Sequence, residues 1–373
     1  LKGLVHIALK RWFLPVLFGL LVVFISFKNL AAPAGNEGYT AYNNYIIFKN
    51  SFQHLLHNTN LYIHYPAQQY DLFKYSPTFA LFFAPFSVLP NGMGLVLWNA
   101  LNVFVFLYAL GKLKLSPIKH LGFGLLIFQE VFTTTANSQS NLLIAGLLLL
   151  AYTALEEGKT WQSVLFIWLT AFIKIFGLLF FAVVLLYPQR WKCVLPGLIV
   201  GLVLFFAPVP MTGLSGLIQH YKDYGVLLSG DHGVFVKYSV MGWLQTWFGF
   251  TPPKNTVVFI GLFIQLLPLL VISRYKSGVF RVSYAGSWLI WMVIFNHMAE
   301  SATFIIAVAG ILLWYFAQPR RQTWHIALLL PVMLFTCFGP SDIYPKYLRH
   351  LIVEDWQLKV FPCILVWGIM MVQ

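Results

Sequence analysis

Apolar runs recur along this chain, each closed by a short polar or basic turn, and no water-soluble fold can bury so many of them. They cover residues 13–27, 79–89, 95–110, 121–132, 142–155, 164–173, 176–186, 194–208, 257–272, 284–295, 305–316, 326–338 and 360–372. Only 9% of the 373 residues are charged and mean hydropathy is +0.76, whereas a soluble domain carries roughly a quarter charged residues. Lipid must therefore be the solvent. The expected fold is an all-α polytopic membrane protein, one integral-membrane domain over residues 1–373, with about 11–13 transmembrane helices at ~20 apolar residues per crossing. A soluble enzyme, a secreted disulfide scaffold and a disordered chain are excluded.

The net charge of +13 would suggest nucleic acid in a soluble protein. Here Lys and Arg gather in short loops, as they do in cytoplasmic loops, and no nucleic-acid partner is expected. Cys193, Cys337 and Cys363 lie far apart, with no metal-ligand spacing and no disulfide to argue. The first run follows Lys10 and Arg11 and reads as an anchor with its N-terminus inside rather than a signal peptide, because further spans come after it. Basic clusters at Arg190/Lys192, Arg274/Lys276/Arg281 and Arg320/Arg321 are assigned to the cytoplasm, which puts residues 29–75, 211–254, 296–301 and 339–355 outside. One conflict remains. Lys112, Lys114 and Lys119 also read as cytoplasmic, yet two full crossings between Tyr75 and Gly111 would put them outside; either one run is re-entrant or these lysines break the rule.

Two outer segments have helical periodicity. Tyr45, Phe48, Phe52, Leu55 and Leu56 share a face in the first outer loop, residues 28–75. Leu214, Leu217, Ile218, Tyr221 and Tyr224 do so in the second, residues 211–254. Both are expected as helices lying in the outer interface. No internal repeat is visible.

Acidic residues are few enough to take in turn. Glu156 and Glu157 read as a solvated cytoplasmic turn, Glu354 and Asp355 as the end of an outer loop, and Glu130 stands beside an apolar run. Glu37, Asp71, Asp223, Asp231, Glu300 and Asp342 all fall on the outer face, where acidic and basic groups together suggest a site. Any one of them is equally well a solvated loop charge. Lys174 interrupts the stretch 164–186, where a lysine either snorkels to the interface or meets an anion at a break between half-helices; the break and the lysine together favour the anion, such as a lipid phosphate. Residues 296–301 form a polar hinge in which His297 and Glu300, three apart, can share a helical face. A carboxylate beside an imidazole can shuttle a proton, although two lone helix caps would look the same. Neither a Gly-rich phosphate loop nor a Gly-x-Ser-x-Gly elbow is present, and no His/Cys/Asp cluster has metal spacing, so no metal or other cofactor is expected.

From Asn44 a series of short motifs follows in order: Asn44-Tyr45, Leu55-Leu56, Leu61-Tyr62, Lys74-Tyr75-Ser76-Pro77, Ala84-Pro85-Phe86, Leu89-Pro90 and Leu97-Trp98. Ser138-Gln139-Ser140-Asn141, Ile173-Lys174 and Arg190-Trp191-Lys192 come next. In this order they resemble glycosyltransferase family 87, of the GT-C class of integral-membrane, lipid-phosphate-sugar-dependent transferases. That family has an Asp-Phe pair and an interfacial helix in its first outer loop, a Tyr-x-Pro or Tyr-x-x-Pro opening the second span, then Gly-Gln-x-Asn and an intramembrane Ile-Lys. The likeness covers about half the chain and fades after Lys192.

The resemblance implies a GT-C-type bundle that moves a sugar, often mannose, from a polyprenyl-phosphate donor to a hydroxyl acceptor. The place would be the outer face of a bacterial inner membrane, and the acceptor a glycolipid, a polysaccharide or a protein. An attacking hydroxyl needs a carboxylate base, and a departing phosphate needs cations more than an acid. By the resemblance Lys174, with Lys346 and Arg349 of the last outer loop, would supply those cations, and His297 would relay the proton. Lys74, Tyr75, Gln139 and Asn141 fall on motif positions expected to hold substrate. Asn44, however, stands where the family has its catalytic Asp, and an amide cannot accept a proton. The base is then expected at Glu37, Asp71 or Glu300, unless the activity is altered or lost. Two other readings stay open: a non-catalytic carrier or flippase of lipid-linked sugar, and a polymerase or ligase of surface polysaccharide. The missing repeats speak against the first, and outer loops poor in Arg speak against the second.

Overall fold

The computed structural model describes residue 10 and residues 12–35, 38–230, 236 and 238–373. Among the described residues there is helix and no strand. Helix α1 (Phe13–Ala31) leads to α2 (Asn43–Leu56), the short α3 (Pro77–Phe82), α4 (Asn91–Lys112), α5 (Pro117–Ala136), α6 (Asn141–Glu156) and α7 (Thr160–Ile173). The second half holds α8 (Val194–Phe206), α9 (Val209–Gly230), α10 (Val240–Phe248), α11 (Lys254–Leu266) and α12 (Gly278–Ile294). It closes with α13 (Phe304–Ala317), α14 (Thr323–Pro331) and α15 (Phe361–Val372). Helices α1 and α4 and the continuous stretch Pro188–Phe206 are long and apolar enough to cross a membrane, and shorter apolar helices fill the rest of the bundle. Several of these are prolonged by tighter or wider turns, as where α14 runs into the π-helical Val332–Cys337. The protein is an all-α polytopic membrane protein.

Helix α13 lies at the centre. Every residue from Phe304 to Phe316 is buried, the mark of a helix covered on all sides. It packs closely along α12, with α5, α6 and α15 around the pair. The approach is set by two glycines: a Cβ on Gly286 would stand 2.7 Å from the Gly310 carbonyl oxygen, and one on Gly310 2.5 Å from that of Gly286. Without a hydrophobic drive between helices in lipid, such backbone proximity is how dispersion forces are gathered.

The conflict over the early lysines is resolved by the stretch 77–90. Ser76 caps α3, its Oγ accepting the Phe79 N–H at 3.1 Å, and Pro77 opens the helix. Helix α3 ends after six residues, Ala84–Ser87 adds one turn, and Pro90 then starts α4. Ten helical residues rise only ~15 Å, half a bilayer, so residues 79–89 do not cross. Helix α4 therefore returns the chain to the end where α1 began, and Lys10 and Gly111 line one cavity there with His120. At the same end Lys119 Nζ donates to the Phe316 carbonyl at 2.8 Å. Arg281 grips Glu156 through two bonds of 2.7 and 2.9 Å, and Tyr187 adds a third at 2.7 Å. Glu156 is thus a bound anion that joins α6 to α12, not the solvated charge expected of it.

The two amphipathic segments are helical but pack into the protein more than into an interface. In α2, Tyr45, Phe48, Phe52 and Leu55 are buried as the period requires, whereas Leu56 is exposed and Ser51 and His54 are buried instead. The Phe48 ring meets Tyr75, Phe79, Phe83 and Trp98 at 5.0–5.8 Å. In α9, Leu217 and Tyr224 are buried with His220, while Leu214 and Ile218 face outward. Tyr224 stacks on Tyr62 of the first loop at 5.3 Å.

One ion pair is wholly buried. Lys359, just ahead of α15, places Nζ 3.2 Å from Glu130 Oε1 on α5 and donates to the Thr336 carbonyl at 2.7 Å; both charged side chains are 0% exposed. Removing one partner strands the other charge, which costs about 3–5 kcal/mol, whereas replacing both is often neutral. Lys359→Met should therefore lower the thermal unfolding temperature of the solubilised protein sharply, and Glu130→Leu/Lys359→Met should recover most of it. Equal loss in the single and double variants would contradict this account.

Candidate active site

At the end opposite the basic loops, one cavity of about 400 Å³ opens between the helix ends. Its walls come from the start of α2 (Asn44, Ile47, Phe48), the loop before α3 (Asp71, Leu72, Lys74, Tyr75) and the α5–α6 turn (Gln139). Across from these stand the break after α7 (Lys174, Ile175, Phe176), Tyr224 and Leu228 of α9, and Asn255 and Val258 of α11. The end of α12 and the hinge beyond it contribute Trp291, Met292, Phe295, Asn296, His297, Met298, Glu300 and Thr303. Its polar and charged groups share the space with the apolar Ile175, Phe176, Leu228 and Val258.

Local geometry explains why these side chains arrive together. Helix α7 stops at Ile173, Lys174 is extended (φ −137°, ψ 124°), and the 3-10 turn Ile175–Phe180 doubles back. Gly177 allows that return, since a Cβ there would lie 2.7 Å from Ala171 N. The expected break in the membrane segment is thus present, with the lysine at it. In the α5–α6 turn Ser138 has φ +52°, a left-handed conformation that a glycine adopts freely and a serine adopts at some cost. That accounts physically for the glycine of the family's Gly-Gln-x-Asn motif. Trp98 Nε1 donates to the Ser138 carbonyl at 2.9 Å and fixes the turn.

A line of hydrogen bonds joins the cation to a carboxylate through neutral amides. Lys174 Nζ donates to Asn141 Oδ1 at 2.9 Å, Asn141 Nδ2 donates to Gln139 Oε1, and Gln139 Nε2 donates to Glu300 Oε2. Asn141 also reaches the Ala302 carbonyl at 3.2 Å. Glu300 caps the turn Ser301–Thr303, where its side chain accepts the Thr303 N–H and its own N–H donates to Thr303 Oγ1 at 3.2 Å. Lys174 Nζ also lies 5.8 Å from the centre of the Tyr75 ring. The lysine accordingly faces the cavity with no carboxylate of the described residues in direct contact, and can receive an oxyanion.

Asp71 is less committed. Its Oδ1 accepts the Leu72 N–H at 2.7 Å, and Oδ2 lies 3.8 Å from Lys74 Nζ, too long for a hydrogen bond. Asn44 lines the same wall, and its Nδ2 donates to the Asn137 carbonyl at 2.9 Å. A carboxylate could not make that bond, so the amide suits this place in the fold.

Of the residues singled out in the sequence, the structure brings Asn44, Asp71, Lys74, Tyr75, Gln139, Lys174, His297 and Glu300 to one cavity, with Asn141 behind them. Glu37 and Asp231 lie outside the described residues. Lys346 and Arg349 are not among the lining residues: they sit on the one-turn helix Lys346–His350, and Arg349 pairs with Asp342 of its own loop. The cluster Ile352, Val353 and Leu358 holds that loop through Leu348, Tyr344 and Phe361, which explains why it stays apart. Sequence reading missed Asn255, Trp291 and the apolar wall. Trp291 is buried inside an unbroken apolar run and carries no signal of its own.

Fold and cavity define a polytopic membrane protein whose charged and amide side chains converge at the ends of its helices, beside an apolar wall. The family model of glycosyltransferase family 87 matches residues 73–339, and the chain belongs to that family. The match runs far beyond Lys192, where the motif likeness fades, so α12 and the hinge at residues 296–301 fall inside it. No curated protein matches the chain.

The isolated cation predicts a binding experiment. Native mass spectrometry of the wild type with a polyprenyl phosphate should show a retained lipid, and Lys174→Met should lose at least about tenfold in that retention, as expected when a charge-assisted contact is removed. Undiminished retention would mean that the phosphate sits elsewhere.

Proposed function

We propose that this glycosyltransferase moves a sugar, mannose by the family resemblance, from a polyprenyl-phosphate donor to an acceptor hydroxyl. The reading is carried by one observation: two lysines, two carboxylates and a histidine share a cavity with apolar residues. The donor's phosphate would meet Lys174, and its isoprenoid chain would leave along Ile175, Phe176, Leu228 and Val258 toward lipid. Asp71 would take the acceptor's proton as the oxygen bonds to the anomeric carbon. The sugar–phosphate bond breaks, and polyprenyl phosphate departs against the Lys174 ammonium. Glu300 is already engaged by Gln139 and by its own turn, so it serves better to hold the amide line than to act as base. His297 would pass the proton to solvent.

Removing a general base costs about 10²–10⁴ in rate. Asp71→Asn should therefore reduce release of polyprenyl phosphate, followed by mass spectrometry with envelope extract as acceptor source, by at least about 100-fold while donor binding persists. Glu300→Gln should retain a tenth or more. Full turnover in Asp71→Asn would remove it as the base. Bound donor with no turnover in the wild type would favour the carrier reading, which the amide at position 44 supports.

An outer-face site, in a bacterial inner membrane by the family resemblance, is supported by Lys10, Lys112, Lys114 and Lys119 at the opposite end. The cysteines Cys193, Cys337 and Cys363 are all buried, so a membrane-impermeant maleimide has little background. In intact cells it should label Ala67→Cys and spare Lys114→Cys; the reverse pattern would invert the topology.

A further inference from the structure

A second cavity, of about 450 Å³, lies on the other side of α2. Successive residues face the two spaces: Asn44 lines the first and Asn43 the second. The same alternation holds at the neighbouring loop. Asp71 lines the first cavity, while Tyr70 packs on Tyr39 of the second at 5.4 Å and its N–H donates to Asn43 Oδ1 at 3.2 Å. The ridge that carries Asn44 and Asp71 therefore borders both cavities.

The second cavity has its own chemistry. Tyr39, Thr40, Asn43, Asn50, Gln68 and Asn91 bring a phenol, a hydroxyl and four amides. Lys49 is its described cation, and that ammonium is held against the wall by two neutral acceptors, the Leu89 carbonyl at 2.8 Å and Asn91 Oδ1 at 2.7 Å. No described carboxylate lines it. Among the described lining residues, neutral donors and acceptors outnumber the single ammonium. Amides and hydroxyls offer donors and acceptors together, which is what a polyhydroxylated neutral ligand requires. The volume falls within the range of small-molecule sites.

We propose that this cavity binds a neutral saccharide, and that it holds the glycan portion of the acceptor while the reacting hydroxyl reaches across the Asn44–Asp71 ridge. The binding claim stands on the cavity alone; the acceptor role rests on the transferase reading above.

Saturation-transfer NMR on the protein in nanodiscs, free of sugar-headed detergent, tests it with mannotriose, maltotriose and galactotriose as probes. Ala67 lines the cavity, is exposed, and makes no side-chain hydrogen bond, so Ala67→Trp fills the space without breaking a bond; Ala67→Phe is a second plug should the first unfold. Wild type and Lys174→Met should both transfer saturation to at least one trisaccharide, and the plugged variants should lose at least about fivefold. Absence of binding by any of the three, equal binding in the plugged variants, or loss in Lys174→Met with retention in Ala67→Trp would overturn the proposal. Should the donor never be turned over while trisaccharide binding follows the expected pattern, the acceptor role falls with the transferase reading and the saccharide site remains.

Discussion

Gly286 and Gly310 meet backbone to backbone, and the rest of the bundle is arranged around that contact. Any side chain at either position would push α12 from α13. Because α13 is buried on every face, such a shift would be felt by α5, α6 and α15 together. The cavity depends on the same contact. Trp291, Met292 and Phe295 close the end of α12, and the hinge that follows carries His297 and Glu300 before α13 begins. Close-packed interiors transmit strain rather than absorb it, so the position of the Glu300 carboxylate is fixed from the middle of the membrane.

Charge is distributed by the same economy. In a medium without water a charged group must be paired, placed at an end, or spent on a ligand. Lys359 and Glu130 are paired, and Arg281 and Glu156 tie helices together at the basic end. Lys174 is the different case. It sits at a chain break, bonded to a neutral amide and linked to the Glu300 carboxylate through Asn141 and Gln139. That arrangement holds the ammonium in place without neutralising it, as a site for a lipid phosphate would require.

The wall formed by α2 and the loop after it has two sides. Its inner side holds the Asn44 amide and the Asp71 carboxylate. Its outer side holds hydroxyls and amides. Adjacent residues of one helix thus border two different environments.

Much of the site was legible because its signals are local. A lysine interrupting an apolar run and His297 near Glu300 in a polar hinge are each anomalous within a few residues, whereas Gln139 and Asn141 stood out only through the family resemblance. The partnership of Lys359 with Glu130 spans 229 positions and could not be read that way; nor could the grip of Arg281 on Glu156, the retreat of Lys346 and Arg349 from the cavity, or Trp291 within it. Residues 79–89 looked like a span because composition records apolarity and not rise; the caps at Ser76 and Pro90 made them short. By itself the sequence determined the solvent, the helical class, and the residues whose polarity lipid would not tolerate unused. Tertiary structure alone decided which of those residues meet, since contact in a helical bundle is set by packing between helices far apart in the chain, and hydropathy carries no record of it.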